Sequence, residues 1–398
     1  MILSKRVSNL SYSPIRKLAD QAQDLIDSGF TIYQLNIGQP EIKTPQAFFD
    51  ALAKHGNQTL RYSNSRGESI LLDSIQNFYK KQDIHISKSD MIITNGASEA
   101  LLFVFQSICD PGDEILAPEP IYANTVSFLK FSGVNIKTIP TTEDTGYHLP
   151  DQKVIESLIT PKTKAIMITN PNNPTGTVYT QEEIEMLKDI AIKHDLFLIG
   201  DEVYNVITFD DVLCESLLFT NRALDHIIII DSISKRYSSC GARIGCVISK
   251  NSELMENMLK LAQARLSVSV LNQIGASALY DLDFSYFESI KENYQRKRDI
   301  TLSLLSTIPN IKYSRPEGAF YILVTMDGIN AEDFTKWLLT SFSIDNKTVL
   351  LSPATGFYLS DDLGSNQIRI AYILDDESLI DALTIFKEGL KTYRKLNM

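Results

Sequence analysis

The stretch HIIIIDSISKRYSSCGARIG (226–245) opens on a short β-branched apolar run and closes on hydroxyls, a lysine and an arginine. Its apolar half reads as a strand buried on both faces. Comparable runs surround it: MIIT (91–94), EILAP (114–118), KAIMIT (164–169), LFLIG (196–200) and IGCVIS (244–249). Between them lie helix candidates, ASEALLFVFQSI (97–108), TQEEIEMLKDIAIKH (180–194) and the stretch 252–265. Apolar runs separated by amphipathic helices predict an α/β fold. Its mostly parallel sheet would be covered on both faces, forming a three-layer large domain over residues 46–285.

The ends of the chain read differently. YFESIKENYQRKRDITLSLL (286–305) predicts a long helix leading out of that domain. After it come a Pro/Gly break at RPEGAF (315–320), a strand-like YILV (321–324), a helix around AEDFTKWLL (331–339), a strand QIRIAYIL (367–374) and a closing helix. Residues 286–398 are expected to form a smaller α+β domain, joined by residues 1–45.

Composition narrows the function. The 398 residues are 44% hydrophobic and 22% charged, the balance of a globular protein, and the net charge is −11. A nucleic-acid binder needs a basic face, which this balance argues against. No run approaches the length of a membrane span, and the first residues lack the pattern of a secretory signal. The four cysteines and five histidines show no CxxC, HExxH or other metal-ligand rhythm, so no metal site is expected and a reduced, cytoplasmic location fits best.

In an open parallel sheet, ligands gather beyond the carboxyl ends of the strands. Four of the runs end there in polar residues able to do chemistry: Asn95-Gly96-Ala97-Ser98, NPNNPTG (170–176), Asp201-Glu202-Val203-Tyr204 and Ser232-Ile233-Ser234-Lys235. The backbone at Ala97-Ser98 opens a helix whose free N–H groups suit an anion, though Ser98 could simply cap it. Asp201 follows an apolar strand and needs a cationic partner such as a pyridinium N–H; a structural ion pair or a metal ligand is the alternative. Tyr204 could aim its hydroxyl at the same ligand or merely pack. Lys235 could form an imine with an aldehyde, and Ser232, Ser234 and Arg243 could hold a phosphate; a solvated lysine is the plain alternative. Arg369, among apolar neighbours, has the fork geometry for a carboxylate, or for a local acid.

Together these motifs resemble the class I/II aminotransferases of fold type I. NPNNPTG, D-E-x-Y after an apolar strand, S-x-S-K and an arginine eight residues past the lysine occur in that family's order. So do LNIGQPEIKTP (35–45), YSNSRG (62–67), the aromatic in EPIYAN (119–124) and LSPATGFY…QIRIAY (351–372). The resemblance implies pyridoxal 5'-phosphate held on Lys235, its ring nitrogen protonated against Asp201 and its 3-oxygen bonded by Asn173 and Tyr204. It implies Tyr122 stacked on the ring, and the phosphate held by Ala97, Ser98, Ser232, Ser234 and Arg243. Tyr62 would reach the phosphate of a neighbouring subunit, giving a homodimer with shared sites. Arg369, with Asn173 and the backbone of Gly38, would take the substrate's α-carboxylate.

Two departures concern side-chain recognition. The family often has G-W-R where this chain has Gly241-Ala242-Arg243, and one branch of aspartate aminotransferases has a lysine where this chain has Ser98. Arg265, in QARLSVSV, could meet a distal carboxylate, or could be a solvated arginine favoured by a helix C-terminus. The expected activity is transfer of an α-amino group between an L-amino acid, led by aspartate, and a 2-oxo acid such as 2-oxoglutarate. A β-lyase cleaving C–S bonds would use the same lysine and aspartate. A non-catalytic ligand sensor is disfavoured, since the resemblance consumes the chain and leaves no room for a DNA-binding module.

Overall fold

A computed structural model describes residues 4–8, 17–56 and 59–397. The first eight strands are β1 (Thr31–Gln34), β2 (Met91–Thr94), β3 (Glu114–Glu119), β4 (Asn135–Pro140), β5 (Thr163–Thr169), β6 (Phe197–Asp201), β7 (Ile227–Ser232) and β8 (Gly245–Ile248). The remainder are β9 (Ile311–Lys312), β10 (Tyr321–Met326), β11 (Lys347–Leu350), β12 (Ser352–Pro353) and β13 (Gln367–Ala371). Seven of them form one sheet in the order β2-β8-β7-β6-β5-β3-β4. Only β8 runs against the rest, pairing antiparallel with both β2 and β7. The expected α/β class with a mostly parallel sheet is therefore the observed one.

Side-chain alternation explains why this sheet has two covered faces. Ile227 and Ile229 join one apolar core, with Leu198, Ile166 and Leu187. Ile228 and Ile230 point the other way into a second core, with Ile199, Met167 and Met258. All four isoleucines are fully buried, each contributing about 1.5–3 kcal/mol relative to exposure. The helix Gln181–His194 covers the first face; its start is fixed by a capping box in which Thr180 accepts from the Glu183 N–H and Glu183 from the Thr180 N–H. The helices Ala97–Ile108 and Ser252–Arg265 cover the second.

Around this sheet lie two smaller ones. β1 pairs parallel with β11, and β12-β13-β10-β9 form an antiparallel sheet. The helices Ser285–Leu305, Ala331–Ser341 and Asp376–Leu396 pack here around Phe334, Phe386 and Tyr294. Among the described residues no helix is long and apolar enough to cross a membrane.

Differences from expectation are local. LFLIG shifts by one residue, so that Asp201 is the last residue of β6. QIRIAYIL ends at Ala371, where the Tyr372 N–H leaves the ladder and donates to the Phe320 carbonyl. β4 was not anticipated: NIKTIP is broken by polar residues because it is the half-exposed edge of the sheet.

Candidate active site

Because six strands point one way, the carboxyl ends of β2, β5, β6 and β7 share one edge. Asp201 ends β6 with 4% of its surface exposed. Among the described residues its carboxylate accepts one hydrogen bond, from the Val203 N–H at 3.4 Å, and forms no ion pair with a lysine or arginine. Burial pushes its carboxyl up to about 7; nearby Asp231 adds to this, and the Val203 N–H and Lys235 oppose it. A buried carboxylate so poorly satisfied suits a cationic N–H donor.

Lys235 sits on the short helix Ile233–Arg236. Ser232 starts it by accepting from the Ser234 N–H at 3.1 Å. The Lys235 ammonium donates to the Gly38 carbonyl at 2.6 Å and lies 3.9 Å from Cys240 Sγ. Burial lowers its pKa, and Arg369 and Arg243 act in the same direction, while Cys240 and Asp201 oppose. That is the setting of an amine that loses its proton readily. The helix is pinned from behind by Arg236, fully buried, which pairs with Asp231 at 2.9 Å and donates to Asn205 Oδ1 at 2.8 Å.

Arg369, on β13, is 1% exposed and has no acidic partner among the described residues. It donates to Asn173 Oδ1 at 2.9 Å and to the Asn36 carbonyl at 2.5 Å, and its Nε has no partner. Its guanidinium lies over the Tyr321 ring at 4.5 Å and the Phe357 ring at 5.0 Å. Asn173 Nδ2 is 3.5 Å from the Tyr204 hydroxyl, which is 3.0 Å from that of Tyr321.

The remaining anion donors gather at the opposite end. Gly96 takes φ +75° before the helix Ala97–Ile108, and a Cβ there would overlap the Arg243 guanidinium. Arg243 donates to the Cys240 carbonyl at 3.0 Å and reaches the Asn95 carbonyl at 3.4 Å. Ala97, Ser98, Ser234 and Arg243 border one cavity of about 130 Å³, together with Asp201, Asn173 and Lys235. Ser232 also borders it, but its hydroxyl is engaged with Ile244 O at 2.9 Å and with Ser234. Tyr122 accepts from Asn124 Nδ2 at 2.8 Å and lines this cavity as well as an outer one of about 650 Å³. The outer cavity reaches Gly38 and Arg369. Tyr62 stands apart: it is 84% exposed and borders a different concavity, with Leu60 and Val268.

Two residues escaped sequence reasoning. Tyr321 and Cys240 both line the outer cavity, and neither carried a signal beyond its place in GAFY and in the loop after Lys235. Arg265 ends the helix Ser252–Arg265 as expected but is not solvated. It is partly buried, pairs with Glu99 at 3.0 Å and donates to the Ser65 and Ile93 carbonyls, tying the Ala97–Ile108 helix to the loop at 65.

A lysine of lowered pKa between a buried carboxylate in the inner cavity and, in the outer one, a buried arginine with no acidic partner among the described residues, on a mostly parallel sheet, defines an enzyme site for a small anionic ligand. The chain belongs to the aminotransferase class I and II family, whose model matches residues 31–386, and is thus a pyridoxal 5'-phosphate-dependent aminotransferase. A probable aspartate aminotransferase of Methanocaldococcus jannaschii is 32% identical over 400 residues, covering 97% of this chain and 99% of its own. The aspartate aminotransferase of Thermus thermophilus, solved with maleate, is 26% identical with a TM-score of 0.89, over 98% of this chain and 100% of that one. An alanine aminotransferase from Pyrococcus furiosus is 29% identical with a TM-score of 0.88, over the same shares.

Proposed function

We propose that this aminotransferase moves the α-amino group of aspartate to 2-oxoglutarate, with Lys235 as the catalytic base and cofactor-bearing residue. The observation that carries the reading is the joint placement of Lys235, Asp201 and Arg369 around connected cavities. The donor set fits pyridoxal phosphate: a buried carboxylate lacking a cation, an amine of lowered pKa, and a helix N-terminus beside an arginine. When bound, that cofactor supplies the electron sink for the carbanion at the substrate's α-carbon.

In this reading Asp201 accepts the ring N–H and holds it protonated, and Asn173 and Tyr204 bond the 3-oxygen. Tyr122 stacks on the ring. The N–H groups at Ala97 and Ser98, with Ser234 and Arg243, take the phosphate; Ser232 orients Ser234. Arg369, freed from any acid, grips the α-carboxylate beside Asn173 and Gly38. Lys235 Nζ would take the substrate's α-proton and hold it for return, acting as base and then as acid. The choice of aspartate draws on the relatives' names, since the cations lining the two cavities are Lys235, Arg243 and Arg369 and all three have other roles.

The exposed Tyr62, beside a concavity lined by apolar Leu60 and Val268, supports a homodimer in which Tyr62 reaches the partner's phosphate. The pairing of β1 with β11 supports a small domain built from residues 1–45 and 286–398, beside a large one at 46–285. The four free thiols suit a reducing, cytoplasmic setting.

Replacing Lys235 by alanine tests the assignment. Turnover of aspartate with 2-oxoglutarate should fall by at least about a thousandfold; normal turnover would remove Lys235 from the chemistry. Release of pyruvate and ammonia from a thioether amino acid, without any 2-oxo acid, would instead favour a β-lyase.

A further inference from the structure

We propose that Tyr321 is a positioning residue of this site. Its hydroxyl donates to Tyr204 Oη and so aims the Tyr204 proton at the cofactor's 3-oxygen, while its ring seats Arg369. The inference rests on the proposal that Tyr204 bonds that oxygen.

Tyr321 opens β10 opposite Ala371, in the antiparallel pair that carries Arg369. It is 2% exposed and wedged between the two halves of the site. A Cβ on Gly38 would overlap its hydroxyl, so the Gly38 backbone, whose carbonyl receives Lys235, closes directly on it. The Tyr321 and Tyr204 rings meet edge to face at 5.7 Å, with the hydroxyls 3.0 Å apart. The ring also lies under Arg369 at 4.5 Å, where a guanidinium over an aromatic face gains cation–π attraction.

Counting protons sets the direction of the hydrogen bonds. Arg369 can only donate, so the Asn173 atom it meets is Oδ1, and Asn173 turns its Nδ2 towards Tyr204. Tyr204 has one proton. If that proton goes to an acceptor in the cavity, the Tyr204 oxygen must receive from Tyr321. Burial pushes the Tyr321 phenol up to about 12, so it keeps its proton at neutral pH. Arg369 is the chief influence in the other direction, making the phenol a better donor. Donors arranged in series polarise one another, so Tyr204 donates more strongly with Tyr321 behind it.

The readout is the pH titration of the visible absorbance of the bound cofactor, which reports the proton shared near its 3-oxygen. A weaker donor at that oxygen raises its proton affinity and moves the midpoint up. Tyr321→Phe keeps the ring and should shift the midpoint up by roughly half a pH unit. Tyr204→Phe should shift it further, and the double variant should match Tyr204→Phe alone, because Tyr321 acts through Tyr204. Tyr321→Met, which loses the ring as well, should also raise the KM for the amino acid about tenfold, whereas Tyr321→Phe leaves KM within about twofold.

An unmoved midpoint in Tyr321→Phe, or additive shifts in the double variant, would overturn the hydrogen-bond role. Equal KM values for the Phe and Met variants would overturn the seating role. A parent protein with no visible band after addition of pyridoxal phosphate would defeat the cofactor-site reading itself, and this inference with it.

Discussion

Two buried charge sites flank Lys235 in space and are built in opposite ways. Behind it, Asp231 and Arg236 are both fully buried and bonded to each other. Tyr79 adds a donor to Asp231 at 3.2 Å and the Ser232 N–H another at 2.7 Å. In front of it, Asp201 and Arg369 are almost as deeply buried and have no ionic partner among the described residues. The rear pair is complete in the chain alone and holds the Ile233–Arg236 helix in place. The front pair is incomplete, and an isolated buried charge persists only where something charged arrives to meet it. Among the described residues Asp201 has no cationic partner and Arg369 no carboxylate; in the proposed function a protonated pyridine and an amino-acid substrate bring those two charges.

Substitutions can break this contrast. The largest effect on turnover should come from Asp201→Asn, a loss on the order of a thousandfold, with the cofactor-free protein at least as stable as the parent in urea. A stability loss would mean that Asp201 is structural after all. Asp231→Asn should behave in the reverse sense, destabilising the fold by about 3–5 kcal/mol because Arg236 is left unpaired. Denaturant midpoints with unchanged m-values would measure this. Next in size, Arg369→Gln should raise the KM for the amino donor by about a hundredfold with little change in stability.

The smallest effect is a pH dependence of the response to cofactor; burial raises the Asp231 carboxyl too, but added cofactor would meet Asp201 alone. Asp201 and Glu202 are both pushed up to about 7, in each case chiefly by burial. Raised carboxyl pKa values mean that the folded chain holds more protons than the unfolded one between roughly pH 4 and 7. Stability from this source is present at low pH and lost as pH rises through 7. The cofactor-free protein should therefore weaken between pH 5 and 8. Added pyridoxal phosphate should raise Tm more at pH 8 than at pH 6, since it supplies the cation that ionised Asp201 lacks. An equal rise at both would sever the link between Asp201 and the cofactor.

Much of this was legible in the sequence, for a physical reason. Strands such as Ile227–Ser232 are buried on both faces, so their apolar runs are unbroken, and the polar residues that follow stand out. Edge strand β4 was hidden because Asn135, Lys137 and Thr138 interrupt its apolar residues. Tyr321 and the partner of Arg265 were hidden for another reason. Both residues take their meaning from partners far along the chain, Tyr204 and Arg369 for Tyr321 and Glu99 for Arg265, and such pairings follow from the fold alone. Arg369 could be singled out earlier because a charged residue inside an apolar strand is anomalous by itself.

The most direct test of the central claim is the absorption spectrum of the purified protein, recorded alone, after aspartate and then after 2-oxoglutarate. A visible cofactor band that gives way to near-ultraviolet absorbance with aspartate and returns with 2-oxoglutarate would show both halves of the transfer, as this account predicts. A band that aspartate leaves unmoved would contradict the proposed donor, and no band even after pyridoxal phosphate is added would contradict the account at its root.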